Sequence, residues 1–565
     1  MSLILLGFFR FIKIIIDYIK ILVLFKPIII GRCIVNSQNN LMKKKIINQF
    51  LLCSLLFSLM ITATIFQSMH QDYTSIIDFD LTVIHNSLQL VSNQYPDFQD
   101  LTSYSHFLTY GLFYKFFSIF DHNLITNIDL LIKLENPEFA LQKLYIISKI
   151  ANSTIHFVAI VFIYKILGIF KVDEYYKILT IFFIIFSETF LANFIILRTD
   201  IVAVSYFLIS AYFLLDYVKN PKFINLFLIS LFMVFSLLAK VQIIFLYMFL
   251  FFFFVFYITY EEKNEISRNN VLFSKITKIN LNYLLLFFII LYFIFQIYLN
   301  NFVNSTTGVG YFDFICFGIY FLIMHFTIFY TSKIRNVSNK YLYNIFAIII
   351  SLFIFHIFLL KLLSIFNFIK IDFRIIFSLT NPFYFLKIYS PFSDKGMSYS
   401  LIYEMLVLLF KDFNFNLIYF FLLLFVLIAS IYMKIFNRKK KLFNQQFIYI
   451  FLLTIIILFL SAINNFRYNV SYNIYFIPFF FLLLAIFFHS IPKKNRLIVS
   501  IIISIFIIFN FVKNLSTYQR YIYQPSNLHH VCVNKSTRDF YYHWARNFDE
   551  VFFKKICLNN NLLFK

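Results

Sequence analysis

The sequence predicts an all-helical, polytopic membrane protein, and three observations carry that prediction. Hydrophobic residues make up 61% of the chain and charged residues only 13%, and mean hydropathy is +0.81, more apolar surface than a soluble core absorbs. Apolar runs long enough to cross a hydrocarbon core ~30 Å thick recur along the whole length. Basic residues gather between those runs rather than within them. Phe reaches 85 and Ile, Lys, Asn and Tyr are also abundant; all have AT-rich codons, so we read the excess as genomic bias rather than a functional aromatic array.

Residues 1–41 come first. Their apolar run carries Arg10, Lys13, Asp17 and Lys20 at three- and four-residue spacing, which gathers the charges on one helical face and predicts an interfacial helix. Met42, followed by three lysines and then apolar residues, reads as an ordinary bacterial start, so translation from Met1 and from Met42 both stay open. The main body is 42–513. Its candidate spans are 47–66, 143–166, 177–197, 200–218, 223–239, 241–259, 282–300, 312–330, 341–364, 415–435, 446–463, 472–490 and 497–513, about thirteen in all.

Orientation follows from charge. The net charge of +23, from 49 basic against 26 acidic residues, would suit a nucleic-acid binder, but its placement argues against that. The basic residues form short runs at 43–45, 261–278, 333–340, 437–441 and 492–496, which read as cytoplasmic anchors under the positive-inside rule. Alternate crossings then put the 67–142 loop, the 301–311 turn, the 365–414 loop and the 514–565 tail outside a cytoplasmic inner membrane. The tail is a small polar appendage holding the only tryptophan, Trp544. Five cysteines make no disulfide framework and show no metal spacing; Cys532 and Cys557 can pair only if the tail faces an oxidising compartment.

The 67–142 loop is where carboxylates gather: Asp72, Asp78, Asp80, Asp97 and Asp100 fall within it. The runs after Asp80 and after Tyr104 are amphipathic and too short or too polar to span, so they predict helices lying along the membrane surface. The same topology brings Asp78, Asp80, Arg198, Asp200, Lys240 and Arg467 to the outer face from distant parts of the chain. Each charge within a span costs ~2.5–3.5 kcal/mol on insertion scales, so Arg198, Lys240 and Arg467 need partners or water. The plainer reading makes them snorkelling residues at helix ends. His156, Glu188, His325 and His356 lack a second partner at matched spacing and are read as structural. Asn152-Ser153-Thr154 matches a glycosylation acceptor but falls in a predicted helix and is discounted.

Four stretches resemble the GT-C class of membrane glycosyltransferases, the superfamily of the protein O-mannosyltransferases and the lipid A aminoarabinose transferases. They are Asp78-Phe79-Asp80 after the first span, LRTD at 197–200, LLAK at 237–240 and the Arg467-Tyr468 that precedes a late helix. The chain departs from the commonest pattern by reading Asp-Phe-Asp where many members have Asp-Glu. The resemblance implies transfer of a sugar from a polyprenyl-phosphate donor to an extracytoplasmic glycan, lipid or protein acceptor, at the outer face and among membrane lipids. Asp78 or Asp80 is then the catalytic base, and Arg198, Lys240 and Arg467 bind the donor phosphate. Asp200 either orients Arg198 or joins Asp78 and Asp80 around a divalent cation such as Mg or Mn, with Asp100 assigned to the same task. A secondary transporter or polysaccharide flippase is the main rival, and an O-antigen polymerase or ligase is the third reading.

Overall fold

The computed structural model describes residues 37–75, 80–97, 103–218, 220–240, 243–261, 339–366, 369–371, 474–475, 477–490 and 526–562, with isolated positions between 426 and 564. Among the described residues the regular structure is helical and holds no strand. The first-half helices are α1 (Ser37–His70), α2 (Asp80–Val91), α3 (Tyr104–Ser118), α4 (Ile128–Lys133), α5 (Glu138–Ile169), α6 (Glu174–Ile185), α7 (Glu188–Ile195), α8 (Thr199–Tyr217), α9 (Phe223–Ala239) and α10 (Ile244–Glu261). The later ones are α11 (Asn339–Ile365), α12 (Ile477–Ser490) and the tail helices α13 (Leu528–Val533), α14 (Lys535–Trp544) and α15 (Glu550–Asn559).

Among the described residues, four helices are long and apolar enough to cross a membrane: Cys53–His70 within α1, then α5, α8 and Ile345–Ile365 within α11. A fifth is added if the bent pair α6 and α7 counts as one span. The expected continuous span at 177–197 is therefore broken, by 58°. The cause lies in Ser187, whose hydroxyl donates back to Ile184 O at 2.7 Å and accepts from Phe190 N at 3.3 Å, ending one helix and capping the next. Helix α1 starts at Ser37 rather than 47, so Met42 and its lysines lie inside it. Residues 1–36 and the expected spans at 282–300 and 312–330 lie outside the described residues, and those at 415–435, 446–463 and 497–513 are described only at isolated positions.

Packing centres on α8, which lies against α9, α5 and α10, while α5 also meets α1, α2 and α3. At 32 residues, α5 is about 48 Å long, more than the ~30 Å hydrocarbon core, so it extends into the first loop. There α2 differs from expectation. Instead of a surface helix with one free face, Asp80 through Gln89 are all buried. Helix α3 closes over α2 at Gly111, where a Cβ would stand 2.6 Å from Val91 Cγ1 and 3.0 Å from the Ser87 carbonyl oxygen. Leu112, Phe116, Ile119 and Phe120, along α3 and the turn after it, are exposed at helical spacing, an apolar stripe that suits a membrane surface.

The tail folds back on that loop. Asn527 donates to Ser75 O, Arg546 N to Asp97, Lys555 to Ile132 O and Asn560 to Glu138. Phe548 stacks edge-on to His85 of α2, and Val531, Phe552, Phe553 and Ile556 form a small buried core. A disulfide joins Cys532 to Cys557, the pairing an oxidising compartment permits. Closing a loop of 25 residues restricts the unfolded chain by about 3.5 kcal/mol. We expect Cys532→Ser, or reductant, to lower the stability of the tail by about that amount. Limited proteolysis should then cleave within 526–562 first, and neither thiol should label in the folded, unreduced protein.

Candidate functional site

The site is built around a gap between helices. Helix α7 stops at Ile195 and α8 starts at Thr199, with Ile196 and Arg198 in extended backbone. The carbonyls at the end of α7 and in this gap have lost their helical partners, and buried backbone groups cannot be left bare. Side chains from α1, α2 and α5 replace them. Asn152 Nδ2 donates to the carbonyls of Asn193 (3.1 Å), Phe194 (2.9 Å) and Ile196 (3.4 Å), and Gln67 Nε2 to Ile195 O (3.3 Å). Lys149 Nζ donates to the same Ile195 carbonyl. Leu197 N donates to Asp80 Oδ1 at 3.0 Å.

Two buried ion pairs flank the gap. Asp80, the first residue of α2, pairs with Lys149 at 2.8 Å, both sealed from solvent. Asp200, in the first turn of α8, pairs with Lys240 at 3.0 Å and accepts from Tyr475 Oη at 2.5 Å. The Lys240 ammonium also reaches Thr199 Oγ1 at 3.4 Å, and Arg198 acts on Asp200 through its charge. Lys240 reaches back because α9 ends there: the residue caps the helix in an extended conformation. These groups comprise three cations, Lys149, Arg198 and Lys240, and two carboxylates, Asp80 and Asp200.

Of the residues singled out in the sequence, Asp80, Arg198, Asp200 and Lys240 are brought together and are all buried. Asp78, Asp100 and Arg467 lie outside the described residues. Snorkelling does not describe Arg198 and Lys240, which are only 8% and 5% exposed. Asp80 and Asp200 do not fit a divalent cation as they stand, because a lysine already neutralises each. Among the described residues no group of three or more His, Cys, Asp or Glu side chains is arranged to hold a metal.

Lys149, Tyr475 and Asn152 were missed. The signal for Lys149 was present, since it is a charge inside the 143–166 span and obeys the same rule that singled out Lys240. Asn152 keeps its predicted helical place but serves the gap rather than a glycan. His156 Nδ1 lies 2.8 Å from Asn152 O, and its ring is edge-on to Phe190. Asp97 lies 3.8 Å from His85 and accepts from Arg546 N.

Two buried histidines lie in the first loop. His85 in α2 and His106 in α3 are both driven down to about 3, in each case first by burial. Asn547 opposes the shift at His85; at His106 Asp200 opposes it and Lys240 adds to it.

Two predictions follow from these geometries. Removing one partner of the sealed Asp80–Lys149 pair leaves the other charge bare, so Lys149→Met should destabilise by about 3–5 kcal/mol. The double variant Asp80→Leu with Lys149→Met should recover most of that loss, which a double-mutant cycle on unfolding will measure. The histidines set a pH dependence. The fold holds both neutral, while in the unfolded chain they titrate at 6.5, so the unfolded chain binds more protons between about pH 3 and 6.5 and stability falls as pH drops through that window. At pH 5 each histidine should cost about 2 kcal/mol relative to pH 8, and the His85→Phe, His106→Phe double variant should remove that slope in thermal unfolding. No protein-family model, curated protein or solved structure matches this chain.

Proposed function

We propose that the chain is a membrane glycosyltransferase of the GT-C type, moving a sugar from a polyprenyl-phosphate carrier to an acceptor outside the cytoplasmic membrane. The observation that supports this most is the buried centre at the α7–α8 gap. It gathers three cations, groups suited to an anionic phosphate, beside the loop where carboxylates gather. On this reading the full chain has about thirteen spans. The disulfide in a tail docked on the first loop agrees with an extracytoplasmic position for both.

The chemistry divides between the two signs of charge. A carboxylate takes the acceptor proton as the new bond forms, and Asp78 is the better base, because Asp80 is held by Lys149 and by Leu197 N. Arg198, Lys240 and Arg467 meet the charge developing on the departing lipid phosphate; the guanidinium does so with two parallel donors and the ammonium as a point charge. Asp200 holds Lys240 in place and acts on Arg198 through its charge.

A secondary transporter or flippase is the second reading, and the helix break supports it: discontinuous helices with charged groups at the gap also serve ion and substrate sites. One assay separates the two. Membranes carrying the protein are given a labelled polyprenyl-phosphate sugar, alongside Asp78→Asn, Asp80→Asn and Arg467→Ala. The wild type should join label to an acceptor, and loss of the base should lower turnover by ~10²–10⁴. Arg467→Ala should weaken donor binding as well, by ~1.5–3 kcal/mol. Full transfer in both Asp variants would sink the mechanism, and label that crosses the membrane without being joined to anything would favour the transporter.

A further inference from the structure

The polar side chains of α3 fall into two sets. Ser105 Oγ donates to Phe235 O at 2.6 Å, Thr109 shares a bond with Tyr206 at 2.7 Å, Tyr110 Oη donates to Asn152 at 3.1 Å and Tyr114 bonds Ser148 at 2.6 Å. Ser103 and His106 do not follow. Both are buried, at 1% and 0% exposed, and among the described residues neither Ser103 Oγ nor either ring nitrogen of His106 has a hydrogen-bond partner. Ser103 occupies the N-cap position of α3, yet its side chain makes no capping bond. The two residues are one turn apart on the same face, which continues to Tyr110, whose ring packs tilted against His106 with centroids 4.7 Å apart.

Three unpartnered polar atoms within one helical turn are an open cost to folding unless something else supplies the partners. Their place identifies what that is. Ser105, next to His106, reaches Phe235 of α9, the helix that Lys240 caps, and Tyr110 links the face to Asn152 at the gap, so this face borders the charged centre.

We propose that Ser103 and His106 bind the sugar of the lipid-linked donor by hydrogen bonds to its hydroxyls; the inference rests on the transferase reading above. Stereochemistry and charge select this ligand. A neutral imidazole presents one donor and one acceptor, and a serine hydroxyl presents both, which matches the donor-and-acceptor character of a sugar hydroxyl. A phosphate diester has acceptors only and would leave the imidazole's second nitrogen bare. Burial keeps His106 neutral, so it offers a phosphate no charge, whereas Arg198 and Lys240 do. Division of labour results: the cations hold the phosphate, and the α3 face holds the sugar attached to it.

The test uses the purified full chain, with His106→Phe and His106→Gln, in two measurements. Thermal unfolding is followed with bare polyprenyl phosphate and with the sugar-bearing donor. Without ligand, His106→Phe should unfold at or above the wild-type temperature, because two bare nitrogens have been removed. Bare polyprenyl phosphate should stabilise wild type and variant alike, while the extra stabilisation by the sugar should be lost in His106→Phe and largely kept in His106→Gln. In the transfer assay, His106→Phe should raise KM for the donor roughly tenfold, with His106→Gln close to wild type. Equal sugar-dependent stabilisation in His106→Phe and wild type overturns the inference while leaving the transferase reading intact. An effect confined to KM for the acceptor overturns the assignment to the donor sugar. A wild type that neither transfers label nor is stabilised by either lipid overturns both.

Discussion

The constraint on which the rest depends is the unwound backbone from the end of α7 to the start of α8. Helical backbone satisfies itself, but a gap inside an apolar bundle must find its partners in side chains, since lipid provides none. That requirement explains polar residues that look misplaced in the sequence. Asn152, Gln67 and Lys149 sit on helices that otherwise read as spans, and each aims at a carbonyl between Asn193 and Ile196. Asp80 supplies the complementary acceptor, to Leu197 N. The gap thereby selects which faces of α1, α2 and α5 point inward.

Charge enters through the same geometry. Lys149 donates to a carbonyl, and Asp80 accepts from an amide two residues further on, so the ion pair between them is assembled by the backbone it serves. Burying both charges is costly, and an apolar pair of the same size would often be at least as stable. What the ionic pair adds is registry: it fixes α2 against α5 at the depth of the gap. Asp200 and Lys240 repeat the arrangement between α8 and the end of α9, with Tyr475 as an additional donor. Arg198 lies between the two pairs in sequence and adds a third cation to the centre.

Much of this was legible in the sequence, and the limits have physical causes. Helix existence was plain wherever apolar runs were long: α5, α8 and α9 lie close to 143–166, 200–218 and 223–239. The break in 177–197 was hidden because Ser187, Glu188 and Thr189 form a polar triplet too short to lower the hydropathy of the whole run, and a run that is apolar on both sides of a break differs little in composition from a continuous one. Asp80, Arg198, Asp200 and Lys240 were found because charge in an apolar setting is conspicuous. Tyr475 and Asn152 were not, since neither carries charge, and a buried tyrosine is common in a chain with 39 of them. The burial of α2 was missed for a different reason: its outer face is covered by residues more than four hundred positions away, which no local pattern reveals.

That distant cover also explains the tail. A segment as short as 526–562 has too little apolar surface to hold itself together, so it relies on a disulfide and on the surface it docks against. In return it covers α2: Asn547 accepts from Gln89 at 3.2 Å, and Phe548 packs against His85. Without that cover α2 would present a hydrated outer face within two turns of Asp80. Water there would screen the Asp80–Lys149 pair and weaken its hold on the gap. The tail therefore acts on the site at one remove, by keeping dry the helix whose first residue is Asp80.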